Sequence, residues 1–190
     1  MKVLVAYATC HGSTRCVAEH LAERLRAVGH EAKAYATADV HRVSSYEVAV
    51  LGSAVHNRAW LTDGVDFLTR FNTELADRPV WLFSVGMPAA LPRRLQGRAL
   101  REEESVISAK LAPMVRARGH RLFSGAIERD HLSLTGRLGL RVMGARYGDF
   151  TDWQQVDAWA SEIATELEAF RPSQPMISAS ALGPPHLKGS

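Results

Sequence analysis

The stretch Ala8-Thr9-Cys10-His11-Gly12-Ser13-Thr14 separates two segments of different periodicity. Residues 2–7 (KVLVAY) form a short apolar run without polar alternation, which is typical of a buried parallel strand. After the stretch, apolar residues recur at helical spacing until Gly29, where a helix C-cap is expected. These apolar positions are Val17, Ala18, Leu21, Ala22, Leu25 and Val28. The stretch 8–14 therefore joins a strand to a helix, as in an α/β fold.

The same loop has the composition of an anion site. Free backbone N–H groups and the positive end of a helix dipole meet there, and Thr9, Ser13 and Thr14 add hydroxyl donors. The loop contains neither the lysine of a P-loop nor a Gly-x-Gly-x-x-Gly dinucleotide motif. A hydroxyl-lined cradle without a cation suits a single terminal phosphate monoester, as in FMN. The alternative is that a Ser or Thr hydroxyl merely caps the helix.

Length and composition indicate one domain with a proper core. The chain has 190 residues, of which 46% are hydrophobic and 23% charged, as in ordinary globular proteins. The apolar runs are too short to span a bilayer, and the first strand begins at once, so we expect no signal peptide and a cytoplasmic location. Cys10 and Cys16 are expected to be reduced thiols. The histidines lack metal-ligand spacing, so no metal site is predicted.

The distribution of charge points to an anionic partner. The net charge is +3, and more than half of the 23 Lys and Arg residues lie between Arg93 and Arg146. An acidic substrate, an acidic protein or anionic lipid would fit this basic region, and we do not expect nucleic acid. The alternative is a solvated, arginine-rich face.

Two further loops are predicted at the same edge of the sheet. Residues 47–52 and 78–85 read as the third and fourth strands, and loops that leave the carboxyl ends of parallel strands form the ligand crevice. The first of these loops, 52–60, ends in an aromatic residue, Trp60, which would be a natural neighbour of a flat flavin ring. Alternatively, Trp60 packs on the next helix. The second loop, 86–92, would lend backbone N–H groups to a ring edge.

The side chains predicted to line the ring come from these two loops. Met87 could cover the ring, although a loop methionine often serves packing alone. On one side we expect Ser53, Ala54, Asn57 and Trp60, and on the other Ser84, Gly86 and Met87.

The order of elements predicts a doubly wound fold. A fifth strand at 120–127 and a last helix capped by Thr151 complete an alternating α/β pattern. Such alternation gives one parallel sheet with helices on both faces, and five strands in the order 2-1-3-4-5 fit the length. The domain would span 1–170. The Pro-, Ser- and Gly-containing segment 171–190 is predicted to be a disordered tail.

The segment between the fifth strand and the last helix is too long for a plain connection. Within it, residues 132–146 combine several leucines with Arg137 and Arg141 at helical spacing. A basic amphipathic segment of this kind can lie on a membrane surface. The alternative is a cover helix over the crevice or the sheet edge.

These motifs resemble those of the flavodoxin family. Thr9-x-x-Gly12-x-Thr14 is similar to its phosphate loop, and residues 52–60 and 84–92 stand where its two flavin loops stand. The likeness covers roughly residues 1–170. It implies that FMN is the cofactor and that Thr9, His11, Gly12, Ser13 and Thr14 hold its phosphate. Members of the family usually have threonine at the position of His11.

Within that family, the chain is most similar to the menaquinone-dependent protoporphyrinogen oxidases. The shared features are the spacing of the second loop, an arginine-bearing insert after strand five and the motif Thr151-Asp152-Trp153-x-Gln155-Val156. This resemblance implies oxidation of a porphyrinogen, with electrons passed to a quinone at the membrane. It also implies that the insert contacts membrane or substrate.

The resulting hypothesis is an FMN-dependent oxidoreductase at the inner face of the cell membrane or in the cytoplasm. The flavin would supply the redox chemistry, and no side chain stands out as a catalytic acid or base. The basic region would attract the carboxylates of a porphyrin-like substrate. Two alternatives stay open: a soluble flavodoxin-type electron carrier serving a redox partner protein, and a flavodoxin-like module with weak or lost FMN binding.

Overall fold

A parallel sheet of five long strands forms the centre of the protein. The computed structural model describes residues 1–87, 89, 93–111, 113–127 and 147–170, so the predicted tail (171–190) and the amphipathic segment (132–146) lie outside the described residues. The long strands are β1 (Lys2–Ala8), β2 (Glu31–Ala36), β3 (Val48–His56), β5 (Val80–Gly86) and β6 (Gly119–Ser124). Their spatial order is β2-β1-β3-β5-β6, and all pairs are parallel. The predicted order of five strands is confirmed.

Helices cover both faces of this sheet, as predicted. They are α1 (Ser13–Ala27), α2 (Thr62–Arg70), α3 (Asn72–Ala76), α4 (Arg93–Leu111) and α5 (Trp153–Ala169), with a 3-10 turn at Thr37–Asp39. Side chains alternate along each strand, so Val3 and Val5 join the core under α1 and α5. Leu4 and Ala6 join the opposite core, under α2, α3 and α4.

The third strand is longer than predicted. We expected it to end at Gly52, but β3 continues to His56 and turns back into β4 (Ala59–Trp60), which pairs with it in antiparallel fashion. Asn57 and Arg58 form the turn with φ values of 50° and 57°. Two left-handed residues match the twist of a tight hairpin, and asparagine adopts this conformation readily. The predicted exit loop 52–60 is therefore a strand end and a hairpin.

Gly52 lies within β3 rather than at its end, and it makes room for the packing of a neighbouring ring. A Cβ atom at this position would overlap the ring of Phe83, which lies across the glycine from the neighbouring strand β5. The two residues are direct partners in the β3–β5 register. Glycine is thus required in the middle of β3 by a close side-chain approach.

Two smaller predictions also need correction. The fifth strand stops at Ser124, and after Gly125 the chain forms β7 (Ala126–Ile127), which pairs with β8 (Gly148–Asp149). The last helix is capped by Asp152, whose carboxylate accepts hydrogen bonds from the N–H groups of Gln154 and Gln155. An aspartate is the stronger N-cap, and Thr151 instead donates to Asp149.

Within the described ranges, no helix is both long and apolar enough to cross a membrane. Nor do the described residues bring together three His, Cys, Asp or Glu side chains that could hold a metal ion. Cys10 and Cys16 are both free thiols and both exposed.

Candidate functional site

A cavity lies at the carboxyl edge of the sheet, where β1, β3 and β5 end. Its volume is about 340 Å³, at the small end of the range for small-molecule sites. Four segments form it: the loop before α1, the end of β3 with the residue after β4, the end of β5, and the β6–β7 connection. The lining residues are Thr9, Cys10, His11, Ser13, Thr14, Ala54, Val55, His56, Leu61, Val85, Gly86, Met87, Gly125 and Ala126.

The loop before α1 is closed by a hydrogen bond to Thr9, and the N-cap residue of α1 has no side-chain cap. Gly12 is the N-cap residue of α1, with a φ of 95° that favours glycine. Its N–H group donates to Thr9 Oγ1 at 3.0 Å. Because the N-cap is a glycine, neither Ser13 nor Thr14 serves as the cap, and the alternative interpretation of this loop as a side-chain-capped helix start is wrong.

Thr14 carries the strongest sign of a ligand. Its side chain is only 1% exposed, and Oγ1 has no hydrogen-bond partner. A buried hydroxyl without a partner costs about 1–3 kcal/mol. Native proteins rarely keep such a group unless a water, ion or ligand satisfies it. Thr14 lines the cavity at the N-terminus of α1, where the helix dipole favours an anion.

Ser13 holds the opposite wall in place. Its Oγ accepts a hydrogen bond from the Ala126 N–H group at 3.2 Å. Between them lies Gly125, where a Cβ would stand 2.7 Å from Val85 Cγ1 and 3.1 Å from Ser13 Cβ. Only glycine fits this close approach of the β6–β7 connection to the loop. The cavity therefore includes a fourth segment that the sequence interpretation missed.

The structure brings seven of the twelve predicted site residues to the cavity. Sequence reasoning missed Cys10, Val55, His56, Leu61, Val85, Gly125 and Ala126. The rule that parallel strands end at one edge could have found the last two, since they follow β6 directly. The predicted residues at the cavity are Thr9, His11, Ser13, Thr14, Ala54, Gly86 and Met87.

Five predicted residues lie outside the lining. Gly12 belongs to the loop through its backbone, and Asn57 forms the hairpin turn. Ser53 Oγ accepts from the Leu61 N–H group at 3.0 Å and donates to the Ala54 carbonyl at 2.9 Å, so it staples the hairpin. Strand alternation turns Ser53 toward the α2 face, where its Cβ lies beside Gly64.

Trp60 is the clearest departure from the predicted site. It is 7% exposed and belongs to the core under α2 and α4. A Cβ at Gly64 of α2 would lie 3.2 Å from Trp60 Cε3. The hairpin reverses the chain before Trp60, so the indole faces the helix. Packing on the next helix, which was the alternative for this residue, is what the structure shows.

Trp60 begins a hydrogen-bonded chain through this core. Its Nε1–H group donates to Ser84 Oγ at 2.7 Å. Ser84 Oγ lies 2.8 Å from His120 Nε2, and His120 Nδ1 lies 2.9 Å from Ser108 Oγ on α4. Burial lowers the pKa of His120 to about 4, so the ring is neutral near pH 7.

One arrangement of protons along this hydrogen-bonded chain gives Trp60, Ser84 and His120 each an acceptor. Because the indole can only donate, Ser84 accepts from it and directs its own proton to His120 Nε2. In that tautomer His120 carries its proton on Nδ1, which lies 2.9 Å from Ser108 Oγ. These hydrogen bonds connect the hairpin, and with it the cavity wall at Val55 and His56, to the centre of the sheet and to α4.

The two parts of the cavity suit two chemical groups. The loop end offers backbone N–H groups and the unpaired Thr14 hydroxyl, which suit an anion. The other end is walled by Val55, Leu61 and Met87, which suit a flat apolar group. Met87 is 40% exposed and stands at the mouth.

Comparison with known proteins agrees with the fold. The flavodoxin domain family model matches residues 4–153. Protoporphyrinogen IX dehydrogenase (quinone) from Escherichia coli K12 is 25% identical over 179 residues, which cover 86% of this chain and 95% of that protein.

Solved structures with under 20% identity share the fold alone. Oxidised flavodoxin 2 from Bacillus cereus aligns with a TM-score of 0.55 at 19% identity, over 88% of this chain and 99% of that one. Rubredoxin oxygen:oxidoreductase from Desulfovibrio gigas aligns with a TM-score of 0.55 at 17% identity, over 88% of this chain. The chain spans only 36% of that longer protein. Since the family model covers most of the sequence and the sheet order agrees, this chain belongs to the flavodoxin domain family.

Proposed function

We propose that the cavity binds FMN and that the chain is an FMN-dependent oxidoreductase. The observation that carries this proposal is the buried Thr14 hydroxyl without a partner, at the anion-favouring end of α1 and in a cavity whose other end has apolar walls. A phosphate monoester joined to a flat ring system has both of the groups that the cavity suits. Bound FMN would supply transfer of a hydride or of single electrons.

Each part of the lining has a task in this proposal. Thr9, Ser13 and Thr14, with the backbone N–H groups around Gly12, would hold the phosphate. Ala54, Val55 and Leu61 would form one wall beside the ring, and Gly86 with Met87 the other. These apolar walls exclude water from the reacting face. No cavity side chain is assigned as an acid or base.

The proposed substrate is an anionic, porphyrin-like molecule, and the proposed acceptor is a quinone. Support comes from the name of the E. coli relative and from the net charge of +3. Two imidazoles, His11 and His56, also line the cavity. Peripheral contact with the inner membrane face through residues 132–146, and otherwise a cytoplasmic location, rest on the sequence pattern alone.

A visible absorption spectrum of the purified protein tests the cofactor. We expect flavin bands, or their appearance when FMN is added to protein freed of cofactor, with a fluorescence titration giving a one-to-one stoichiometry. Absence of flavin bands together with no uptake of added FMN would overturn the proposal and favour a module that has lost its cofactor.

An anaerobic assay tests the reaction. The FMN-loaded protein is mixed with protoporphyrinogen IX and a soluble quinone, and porphyrin fluorescence is followed with quinone reduction. We expect both to change together. If neither changes while cytochrome c accepts electrons from the reduced protein, the chain is an electron carrier instead.

A further inference from the structure

Two exposed thiols flank the start of α1, and only one of them lines the cavity. Cys10 lies in the loop and forms part of the cavity wall, whereas Cys16 lies on the first turns of the helix outside the lining. The Cys16 N–H group donates to the Gly12 carbonyl at 3.0 Å, which fixes it in the helix. The chain thus contains a cavity thiol and a nearby reference thiol that is also exposed.

The backbone on either side of Cys10 is tied down. Only residues 9–12 separate β1 from α1. The bond from the Gly12 N–H group to Thr9 Oγ1 closes the loop around Cys10. The bond from the Ala126 N–H group to Ser13 Oγ anchors the helix start to the opposite wall. The loop therefore cannot move aside to make room for a group attached to Cys10 without breaking these two hydrogen bonds.

The cavity at Cys10 carries an independent sign of a ligand. The Thr14 hydroxyl is buried, has no partner and lines the same space. At about 340 Å³, the cavity is small for a ligand site, so an adduct on Cys10 and a bound cofactor would compete for the same volume.

We propose that Cys10 is a thiol modification site that controls cofactor loading: a mixed disulfide at Cys10 and bound FMN exclude each other. This inference rests on the proposed FMN site. The reactant is a low-molecular-weight disulfide. The Cys10 thiolate attacks one of its sulfur atoms, and a bond from Cys10 Sγ to that sulfur forms as the original S–S bond breaks. The other half leaves as a thiolate with the bonding electron pair and takes a proton from water. Cys10 is oxidised, and one half of the reagent is reduced.

Alkylation with iodoacetamide, followed by peptide mass spectrometry, tests whether FMN covers Cys10. With FMN at about 100 times its Kd, only about 1% of the sites are free, so alkylation of Cys10 should slow by about 100-fold. Alkylation of Cys16 should keep its rate and serves as the internal control. Equal rates at Cys10 with and without FMN would overturn the inference.

Treatment of the FMN-free protein with glutathione disulfide tests the reverse direction. The adduct at Cys10 should raise the Kd for FMN by at least about tenfold, a loss of about 1.4 kcal/mol, and dithiothreitol should restore the original value. In the Cys10→Ser variant the Kd should not respond to the reagent. In the Cys16→Ser variant the response should be that of the unchanged protein.

The outcomes separate this inference from the proposed function. If FMN binds to the Cys10 adduct as tightly as to the untreated protein, the modification site is wrong and the cofactor site stands. The same conclusion follows if the Kd of the Cys16→Ser variant no longer responds to glutathione disulfide. If untreated protein binds no FMN at all, both proposals fall.

Discussion

The start of α1 and the β3–β4 hairpin reach the same edge of the sheet, yet the buried hydroxyls beside them have opposite surroundings. Thr14 Oγ1, in the first turn of α1, is covered and has no partner. Ser84 Oγ, against which the hairpin's Trp60 rests, has two partners, the indole N–H group and His120. A satisfied buried hydroxyl is part of the framework, whereas an unsatisfied one indicates a place for a ligand. The difference separates the candidate binding wall from the structure that supports it.

The largest expected effect is on the supporting side. Trp60→Ala should lower the free energy of unfolding by about 3–5 kcal/mol, because it leaves a cavity and breaks the bond to Ser84. Urea denaturation measures this change. Trp153→Ala is the matched control, since that indole is 38% exposed. A loss no larger than that of the control would show that the hairpin is not anchored through Trp60.

The pH dependence of stability should report on the hydrogen-bonded series that runs from Trp60 to Ser108. Because the folded pKa of His120 is about 4 and the ordinary value is 6.5, the unfolded state binds more protons between these limits. Stability is therefore fully present above pH 6.5 and falls by up to about 3 kcal/mol as the pH drops to 4.

Denaturation curves across this pH window, for the unchanged protein and for His120→Gln, measure that contribution. The variant should show the smaller loss on acidification. His41→Gln, at an exposed histidine, should keep the full pH dependence. Identical slopes for all three proteins would contradict a buried neutral ring at position 120.

A third prediction concerns the binding side. Thr14→Val removes a hydroxyl that has no partner in the protein, so the stability of the FMN-free protein should not fall. The Kd for FMN should rise by roughly 10–100-fold, because a hydrogen bond to a charged group contributes about 1.5–3 kcal/mol.

Ser84→Ala supplies the opposite pattern for comparison. It leaves the Trp60 Nε1–H group and His120 Nε2 each without a partner, so stability should fall by about 1–3 kcal/mol. Its effect on the Kd for FMN should be the smaller of the two. If Thr14→Val destabilised the FMN-free protein and spared FMN binding, the proposed roles of the two hydroxyls would be reversed.

The smallest effect is expected at His11, which lines the cavity at its loop end. His11→Thr keeps a side-chain donor and removes bulk from the loop. The Kd for FMN, measured by fluorescence quenching, should stay the same or decrease. Loss of FMN binding in this variant would mean that the imidazole itself is needed to hold the phosphate.

The sheet could be predicted from sequence because its central strands β1, β3 and β5 are compact apolar runs and the long helices have apolar residues at helical spacing. The strand order and both helical layers are accordingly as expected. The loop before α1 could be predicted in the same way, because it lies where a continuous apolar run changes to apolar residues at helical spacing. These are local signals, and local signals can be read from one chain.

The hairpin could not be predicted, because its causes are contacts between distant residues. Gly52 looks like a strand end until the ring of Phe83 is seen across it. Trp60 looks like a loop aromatic until its bond to Ser84 is known. The partners Ser108 and His120 lie far along the chain, and no spacing in the sequence connects them.

The packing of Phe83 over Gly52 also constrains how this fold can change over time. Any side chain at position 52 meets the ring of Phe83, and loss of the ring would leave a void above the glycine. Relatives that differ here are therefore expected to differ at both positions together, a larger residue in β3 accompanying a smaller one in β5. Covariation between these two columns of a family alignment would be the evolutionary trace of one steric contact.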